Sequence, residues 1–126
     1  MAQSLNTKSD LVMDATSYSG LNSYGKIMIG DRAFEYYNNR KVEDYIQIPW
    51  KDVDYVIASV MFGGKYIPRL VIRTKQGRDF PFAAKRPKEL LRAIRSYVPP
   101  DRMVRSLTLM GVIRRRLRQF FNKSQS

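Results

Sequence analysis

Seven short segments rich in β-branched and aromatic residues constrain the fold of this chain more than any other feature of the sequence. Glycine, asparagine or proline stands at most of the junctions between them, as is typical of strands joined by tight turns. The segments cover residues 11–18, 26–29, 33–37, 45–50, 54–62, 69–75 and 79–83. This spacing predicts about seven antiparallel strands in one domain of 126 residues, a length that can bury a core without disulfides.

A helix is predicted after the last of these segments. Pro87 suits a first helical turn, and Pro99 and Pro100 end the helix because proline lacks the backbone N–H that a further turn needs. The apolar stripe of this helix consists of Leu90, Leu91, Ile94, Tyr97 and Val98. Arg92 and Arg95 face away from the stripe, so the stripe is expected to pack on the sheet.

The C-terminal segment predicts a basic amphipathic helix that begins near Arg102 and ends near Asn122, with Asp101 as its N-cap. At helical spacing, one apolar stripe is formed by Met103, Met110, Ile113, Leu117 and Phe121, with Leu109 and Phe120 at its edge. If the helix ended at Gly111, the stripe would be interrupted there. Such a helix is typical of a segment that binds a membrane surface or docks on a partner protein.

The residues expected to meet that membrane or partner are Arg105, Ile113, Arg114, Arg115, Arg116, Leu117, Arg118, Phe120 and Phe121. The arginines would supply attraction to acidic groups, and the apolar residues would supply anchors. Two alternatives remain open at this stage. The helix could pack against its own domain, or the arginines and aromatic residues could bind nucleic acid. No helix-turn-helix, zinc-finger or RNP-like motif is visible, so nucleic acid is the less favoured partner.

The predicted fold class is α+β. About seven antiparallel strands form a bent sheet or open barrel closed by one helix, and the basic amphipathic helix follows. This layout resembles that of pleckstrin-homology-like domains, and the phrase IPWKDV at residues 48–53 is similar to theirs. The expected organisation is a pleckstrin-homology-like domain over residues 1–98 and the basic helix and tail over residues 99–126. A fold of this kind does not by itself fix a function.

The charge of the chain is unevenly distributed. Residues 1–63 contain 6 Lys/Arg and 8 Asp/Glu, a net of −2, whereas residues 64–126 contain 17 Lys/Arg and 3 Asp/Glu, a net of +14; together they give the total of +12. This asymmetry indicates a polyanionic partner, such as an anionic membrane leaflet, an acidic protein face or nucleic acid. A basic surface that serves only solubility is the simpler alternative.

The composition argues against an enzyme. The chain has no cysteine and no histidine, which removes thiolate nucleophiles, the commonest metal ligands and the commonest general base at neutral pH. No phosphate-binding glycine motif precedes a helix. Gly63-Gly64-Lys65 lies between strand-like segments and predicts a hairpin turn. The acidic residues of the first half form no recognised motif. Asp52 and Asp54 could share a strand face, which is expected to be solvated rather than to form a metal site, and no catalytic residue, metal or cofactor is predicted.

The first residues do not show a basic stretch followed by an apolar one, and no apolar run reaches the roughly 18 residues that span a bilayer. The sequence therefore predicts a cytoplasmic protein that lies on the inner face of the membrane without crossing it.

Several phrases of the sequence resemble the ManO family, whose genes lie beside those for mannose-class sugar phosphotransferase systems in Gram-positive bacteria. The phrases are AQSLNTK (2–8), LVMDATSY (11–18), YGKIMIGD (24–31), YIQIPW (45–50), VDYVIASV (53–60), LRAIR (91–95), Pro99 and DRMVRSL (101–107). The resemblance spans about residues 2–107, and after Leu107 it extends only to the basic character of the tail.

This resemblance implies a cytoplasmic accessory protein of the sugar transporter, with a pleckstrin-homology-like fold and no catalytic residues. The phosphocarriers of mannose-class systems act through phosphohistidine, which a chain without histidine cannot form. The expected partners are the membrane-embedded subunits of the transporter, whose sugar uptake the protein would modulate. A general module for anionic lipid is the first alternative, and a regulator that binds nucleic acid is the second.

Overall fold

Alternating inward and outward side chains build the sheet of this protein, whose computed structural model describes residues 3–106. In β1, for example, Met13, Ala15 and Ser17 are buried, and the residues between them face outward. The strands are β1 Ser9–Ser17, β2 Ser23–Gly30, β3 Ala33–Asn38, β4 Tyr45–Pro49, β5 Val53–Met61, β6 Tyr66–Thr74, β7 Asp79–Ala84 and β8 Met103–Ser106, and the α-helix is α1 Pro87–Ile94. The described part of the chain therefore has an α+β fold.

The strands form one mixed sheet in the order β4-β3-β2-β1-β7-β6-β5-β8. The first four strands are an antiparallel meander, and β5 to β7 are a second one. Only three residue pairs, from Ala15–Ala84 to Ser17–Phe82, join the two meanders. The strand β8 runs parallel to β5 at the far edge.

The seven segments predicted as strands all coincide with strands, but the expected number of strands was one too low. The eighth strand, Met103–Ser106, comes from the segment predicted as a helix. Pro49 is the last residue of β4, and β4 is an edge strand. Proline is tolerated at such a position because no neighbouring strand needs its missing N–H.

The prediction of a helix that begins near Arg102 is wrong for residues 102–106. Asp101 is not an N-cap in the structure; it lies inside the single turn Pro100–Arg102, whose N-cap position is Pro99. The next residues pair with β5, from Val56–Met103 to Ser59–Ser106. The physical reason is the open edge of β5, whose backbone groups gain hydrogen bonds from an extended segment and none from a helix. The rest of the predicted helix lies outside the described residues, so the boundary after residue 98 stays a prediction.

The helix α1 ends four residues earlier than predicted, at Ile94. Leu90 and Ile94 are fully buried against the sheet, and Val98 stays buried in the turns that follow the helix. Tyr97 stacks on Trp50 with ring centroids 5.1 Å apart, and the Trp50 Nε1–H donates to the Gly30 carbonyl at 2.9 Å. These contacts hold the end of α1 against the β2–β3 hairpin.

Candidate anion-binding groove

A groove of about 530 Å³ lies between α1 and the edge of the sheet formed by β5 and β8. Its floor comes from the inner face of β5, where Val56, Ala58 and Val60 alternate with outward residues. Leu91 of α1 and Met103 of β8 add apolar surface on the two sides. The helix therefore leaves part of this apolar floor uncovered.

Four cationic side chains surround this apolar floor. Lys88 and Arg92 lie on α1, and Arg95 follows directly as its C-cap with helical backbone angles. Their spacing of four and three residues puts them on one helical face, away from the buried Leu90 and Ile94. Arg105 joins them from β8. It lies two residues after Met103 and therefore on the same face of that strand. No acidic residue within 3–106 lines the groove. We call this site the basic groove.

The four cations of the basic groove are exposed, and none belongs to an ion pair within residues 3–106. Other arginines of the same region do find partners: Arg73 binds Asp79 at 2.8 Å, and Arg102 binds Asp54 at 2.5 Å. Four like charges around a low-dielectric floor raise the local positive potential. The groove can therefore attract a ligand that combines negative charge with apolar surface.

A second depression, of about 490 Å³, shares Lys88 and Arg92 with the basic groove and extends the positive surface across α1. Lys65 and Lys85 also line it. Its acidic residue, Glu89, is bound by Arg86 at 2.7 Å. The positive surface thus continues from the edge of β8 to the turn between β5 and β6.

Of the predicted site residues, only Arg105 lies within the described part of the chain, and the structure places it at the basic groove. The other eight lie outside the described residues: Ile113, Arg114, Arg115, Arg116, Leu117, Arg118, Phe120 and Phe121. The helical spacing predicts Arg92 and Arg95 opposite the apolar stripe, but neither is among the predicted site residues. Their shared face with Lys88 was the available signal.

A buried carboxylate forms a second cluster, on the other meander. Glu35 is fully buried, and its two oxygens accept five hydrogen bonds. The donors are the Ser4 hydroxyl, the Leu5 backbone N–H, the Asn6 side-chain amide, the Tyr37 hydroxyl and the Gln47 side-chain amide.

The hydrogen bonds decide the ionisation of this carboxyl group. Burial alone would raise the pKa of Glu35, but the donors around it, led by Ser4 and Tyr37, together hold its pKa below the ordinary value of 4.5. A buried carboxylate that already accepts five hydrogen bonds from the protein fits a structural role. It fixes residues 4–6 against β3 and β4.

Asp31 holds the same N-terminal segment at the β2–β3 hairpin. It accepts hydrogen bonds from the Thr7 hydroxyl, from the Thr7 N–H at 2.9 Å and from the Lys8 N–H at 3.0 Å. These bonds, the one from the Thr7 hydroxyl first, lower the pKa of Asp31 to about 2. Asn6 lies between the two carboxylates and accepts from the N–H groups of Arg32 and Ala33.

Comparisons with known proteins identify a family and a similar fold. A family model described as a domain of unknown function (DUF956) matches residues 1–117. No curated protein matches the sequence significantly. Among solved structures, the C-terminal domain of an unknown protein from Leishmania infantum is similar, with a TM-score of 0.62 and 8% identity over 71% of this chain and 83% of that one. At this identity the likeness concerns the fold alone. Among the described helices, none has the length and apolar character to cross a bilayer.

Proposed function

Because this chain belongs to the DUF956 family, which carries no assigned function, we propose a role from the basic groove: the protein is a non-catalytic module that binds an acidic partner. The observation that carries the proposal is the set of four cations around an apolar floor, where the described part of the chain places no acidic residue. The cations are Lys88, Arg92, Arg95 and Arg105. An acidic protein segment with apolar side chains would satisfy both parts of such a site. Its carboxylates would pair with the cations, and its apolar residues would cover the floor.

The order of the strands supports a second proposal, which concerns the type of fold. Two antiparallel meanders joined through β1 and β7, followed by a helix that packs on the sheet, match the layout of pleckstrin-homology-like domains. We propose that the described part of the chain is a domain of that kind, enlarged by the additional parallel strand β8. Strand order is an argument for the fold, and the function still rests on the groove.

We propose the membrane-embedded subunits of a mannose-class sugar phosphotransferase system as the partner. The resemblance of residues 2–107 to the ManO family supports this choice. The protein would act in the cytoplasm, at the inner face of the membrane, and would modulate sugar uptake. The five Lys/Arg residues after Ser106, with no acidic residue among them, add to the attraction towards an acidic surface.

Co-purification from solubilised membranes tests this proposal. The full chain is expected to retain the transporter subunits at low salt and to release them as salt screens the charges. The double variant Arg92→Glu with Arg95→Glu should lose the complex, because it reverses two of the four cations in the groove. Arg40→Glu with Lys41→Glu changes the net charge equally outside the groove and should retain it. Failure of the wild-type chain to retain the transporter, or equal losses in both double variants, would contradict the proposal.

Binding to nucleic acid is a second candidate, favoured only by the net charge of +12. A mobility-shift assay with DNA and RNA at low salt decides between the two. Tight binding with a steep salt dependence would support the nucleic-acid candidate, and negligible binding would end it.

A further inference from the structure

The turn between β5 and β6 holds an aromatic residue in an unfavourable backbone conformation. Phe62 has a φ of 53°, and Gly63 and Gly64 follow with φ of 66° and 90°. Within residues 3–106, Phe62 is the one non-glycine residue with positive φ. A bulky L-residue is disfavoured in this left-handed region because its Cβ approaches the following carbonyl group. The local backbone would favour glycine or asparagine at this position.

Burial does not account for a phenylalanine at this position either. The Phe62 side chain is 73% exposed, and that of Tyr66, at the other end of the turn, is 53% exposed. A Cβ built on Gly63 or Gly64 would meet no atom within 4 Å, so the turn borders open space, although both glycines also line the basic groove. Phe62 therefore combines backbone strain with exposed apolar surface, a combination that is found at sites of function.

Unpaired cations surround the base of this turn. Lys65 belongs to the turn itself, and the adjoining depression brings Lys65 and Tyr66 together with Lys85, Lys88 and Arg92. None of these four cations belongs to an ion pair in the described part of the chain. We call Phe62, Tyr66 and these four cations the aromatic–basic tip. Its charge is complementary to an anionic surface.

We propose that the aromatic–basic tip binds an anionic lipid bilayer, with Phe62 inserted at the level of the headgroups. A turn with one exposed phenylalanine offers little area to a protein pocket but can enter the interfacial region of a bilayer. Tyr66 suits the membrane–water boundary, where aromatic rings with a polar end are enriched. The lysines and Arg92, which line the depression next to Tyr66, would bind the phosphate groups of the lipids. This inference rests on the membrane location in the proposed function but requires no transporter.

Flotation of the full chain with vesicles of phosphatidylcholine, with and without phosphatidylglycerol, tests the inference. Wild-type protein is expected to float with the anionic vesicles only. Phe62→Asn removes the aromatic ring and places at this position a residue that tolerates positive φ. Its partition onto anionic vesicles should fall about fivefold to tenfold, as expected for losing roughly half of the full burial of one aromatic side chain. Its urea midpoint should equal or exceed that of wild type, so misfolding cannot explain the loss.

Leu21→Asn is the matched control. Leu21 is 91% exposed in the loop between β1 and β2, outside the aromatic–basic tip, and its substitution should leave the partition unchanged. Phe62→Trp supplies a direct measure of depth. Its fluorescence should be quenched by lipids with brominated acyl chains, beyond the quenching of wild type, whose single Trp50 is stacked on Tyr97 within the fold.

The outcomes separate this inference from the proposed function. If flotation depends on Phe62 but the full chain does not retain the transporter, the result would support the inference and contradict the proposed transporter role. Unchanged flotation of Phe62→Asn, or an equal loss with Leu21→Asn, would overturn the inference. It would also be overturned if no vesicles were bound while retention of the transporter in detergent depended on Phe62, because the tip would then be a protein-docking surface.

Discussion

Replacement of Glu35 by glutamine should strongly destabilise this protein, although it exchanges only one oxygen atom for an NH₂ group. One carboxylate oxygen accepts from the Ser4 hydroxyl and from Asn6 Nδ2 at 2.7 Å. The other accepts from the Leu5 N–H at 3.1 Å, the Tyr37 hydroxyl at 2.5 Å and Gln47 Nε2 at 2.9 Å. A glutamine keeps one acceptor oxygen and brings two donor hydrogens into a site built from donors.

Neither orientation of the new amide satisfies the site. With its NH₂ group on the side of Leu5, it faces a backbone N–H that cannot accept. With its NH₂ group on the other side, it faces the NH₂ group of Asn6. The Asn6 amide cannot flip, because its Oδ1 already accepts from the N–H groups of Arg32 and Ala33 at 2.8 and 2.7 Å. The hydroxyl groups of Ser4 and Tyr37 can rotate to accept. In either orientation, at least one hydrogen bond to a charged group is therefore lost, and two N–H donors face each other without an acceptor.

Each hydrogen bond to a charged group contributes about 1.5–3 kcal/mol, and a buried donor without a partner costs about 1–3 kcal/mol. The smaller desolvation of a neutral amide offsets part of this loss. We expect a fall of about 2–4 kcal/mol in the free energy of unfolding, a large fraction of the roughly 5–15 kcal/mol that a native domain has.

Urea denaturation at neutral pH, followed by circular dichroism, measures this change. The midpoint should fall by about 1–2 M with an unchanged slope. Glu43→Gln is the matched control because Glu43 is exposed and has no hydrogen bond among those of the described side chains, so its midpoint should stay that of wild type. A Glu35→Gln protein within about 0.5 kcal/mol of wild type would refute the reasoning, because that is the range of ordinary surface substitutions.

The same contacts give further predictions. Gly30→Ala should cost about 1–3 kcal/mol in urea unfolding, because the new Cβ would lie 2.3 Å from Asn6 Cγ and 2.4 Å from the Lys8 carbonyl oxygen; wild-type stability would contradict the packing of residues 6–8 on the hairpin. Below pH 4 the protein should lose stability, because folding lowers the pKa of Asp31 from 3.8 to about 2 and the unfolded chain therefore binds more protons in that range. Asp31→Asn should flatten this part of the pH profile of the urea midpoint. Leu90→Ala should cost about 2–5 kcal/mol because Leu90 is fully buried between α1 and the sheet, and a smaller loss in thermal or urea unfolding would place the helix elsewhere.

Most of the elements of the described domain could be predicted from the sequence because each carries a local period. The seven segments that alternate inward and outward residues are strands, and the stripe through Leu90 and Ile94 marks α1. The strand β8 could not be found in this way. Its four residues are too short to show a period, and Met103 also fits a helical stripe. These residues form a strand because they pair with the open edge of β5, which lies more than forty residues earlier in the chain.

The candidate site was predictable only in part. Sequence reasoning selected Arg105 within a basic C-terminal helix, and the structure instead places it on a strand beside a groove. The exposed face of Lys88, Arg92 and Arg95 was readable from helical spacing. The sequence does not show that this face borders an uncovered apolar floor. The floor comes from β5, and the strands β6 and β7 separate β5 from α1 in the chain.

The sequence by itself determined the strands, the helix that follows them, and a strongly basic second half without histidine or cysteine. These properties are local, since periodicity, turn residues and charge act over a few neighbouring positions. Only the tertiary structure decided that Glu35 is buried, that β8 completes the sheet, and that four cations surround one groove. Each of these depends on contacts between distant parts of the chain: residues 4–6 with β3, β8 with β5, and α1 with the sheet edge.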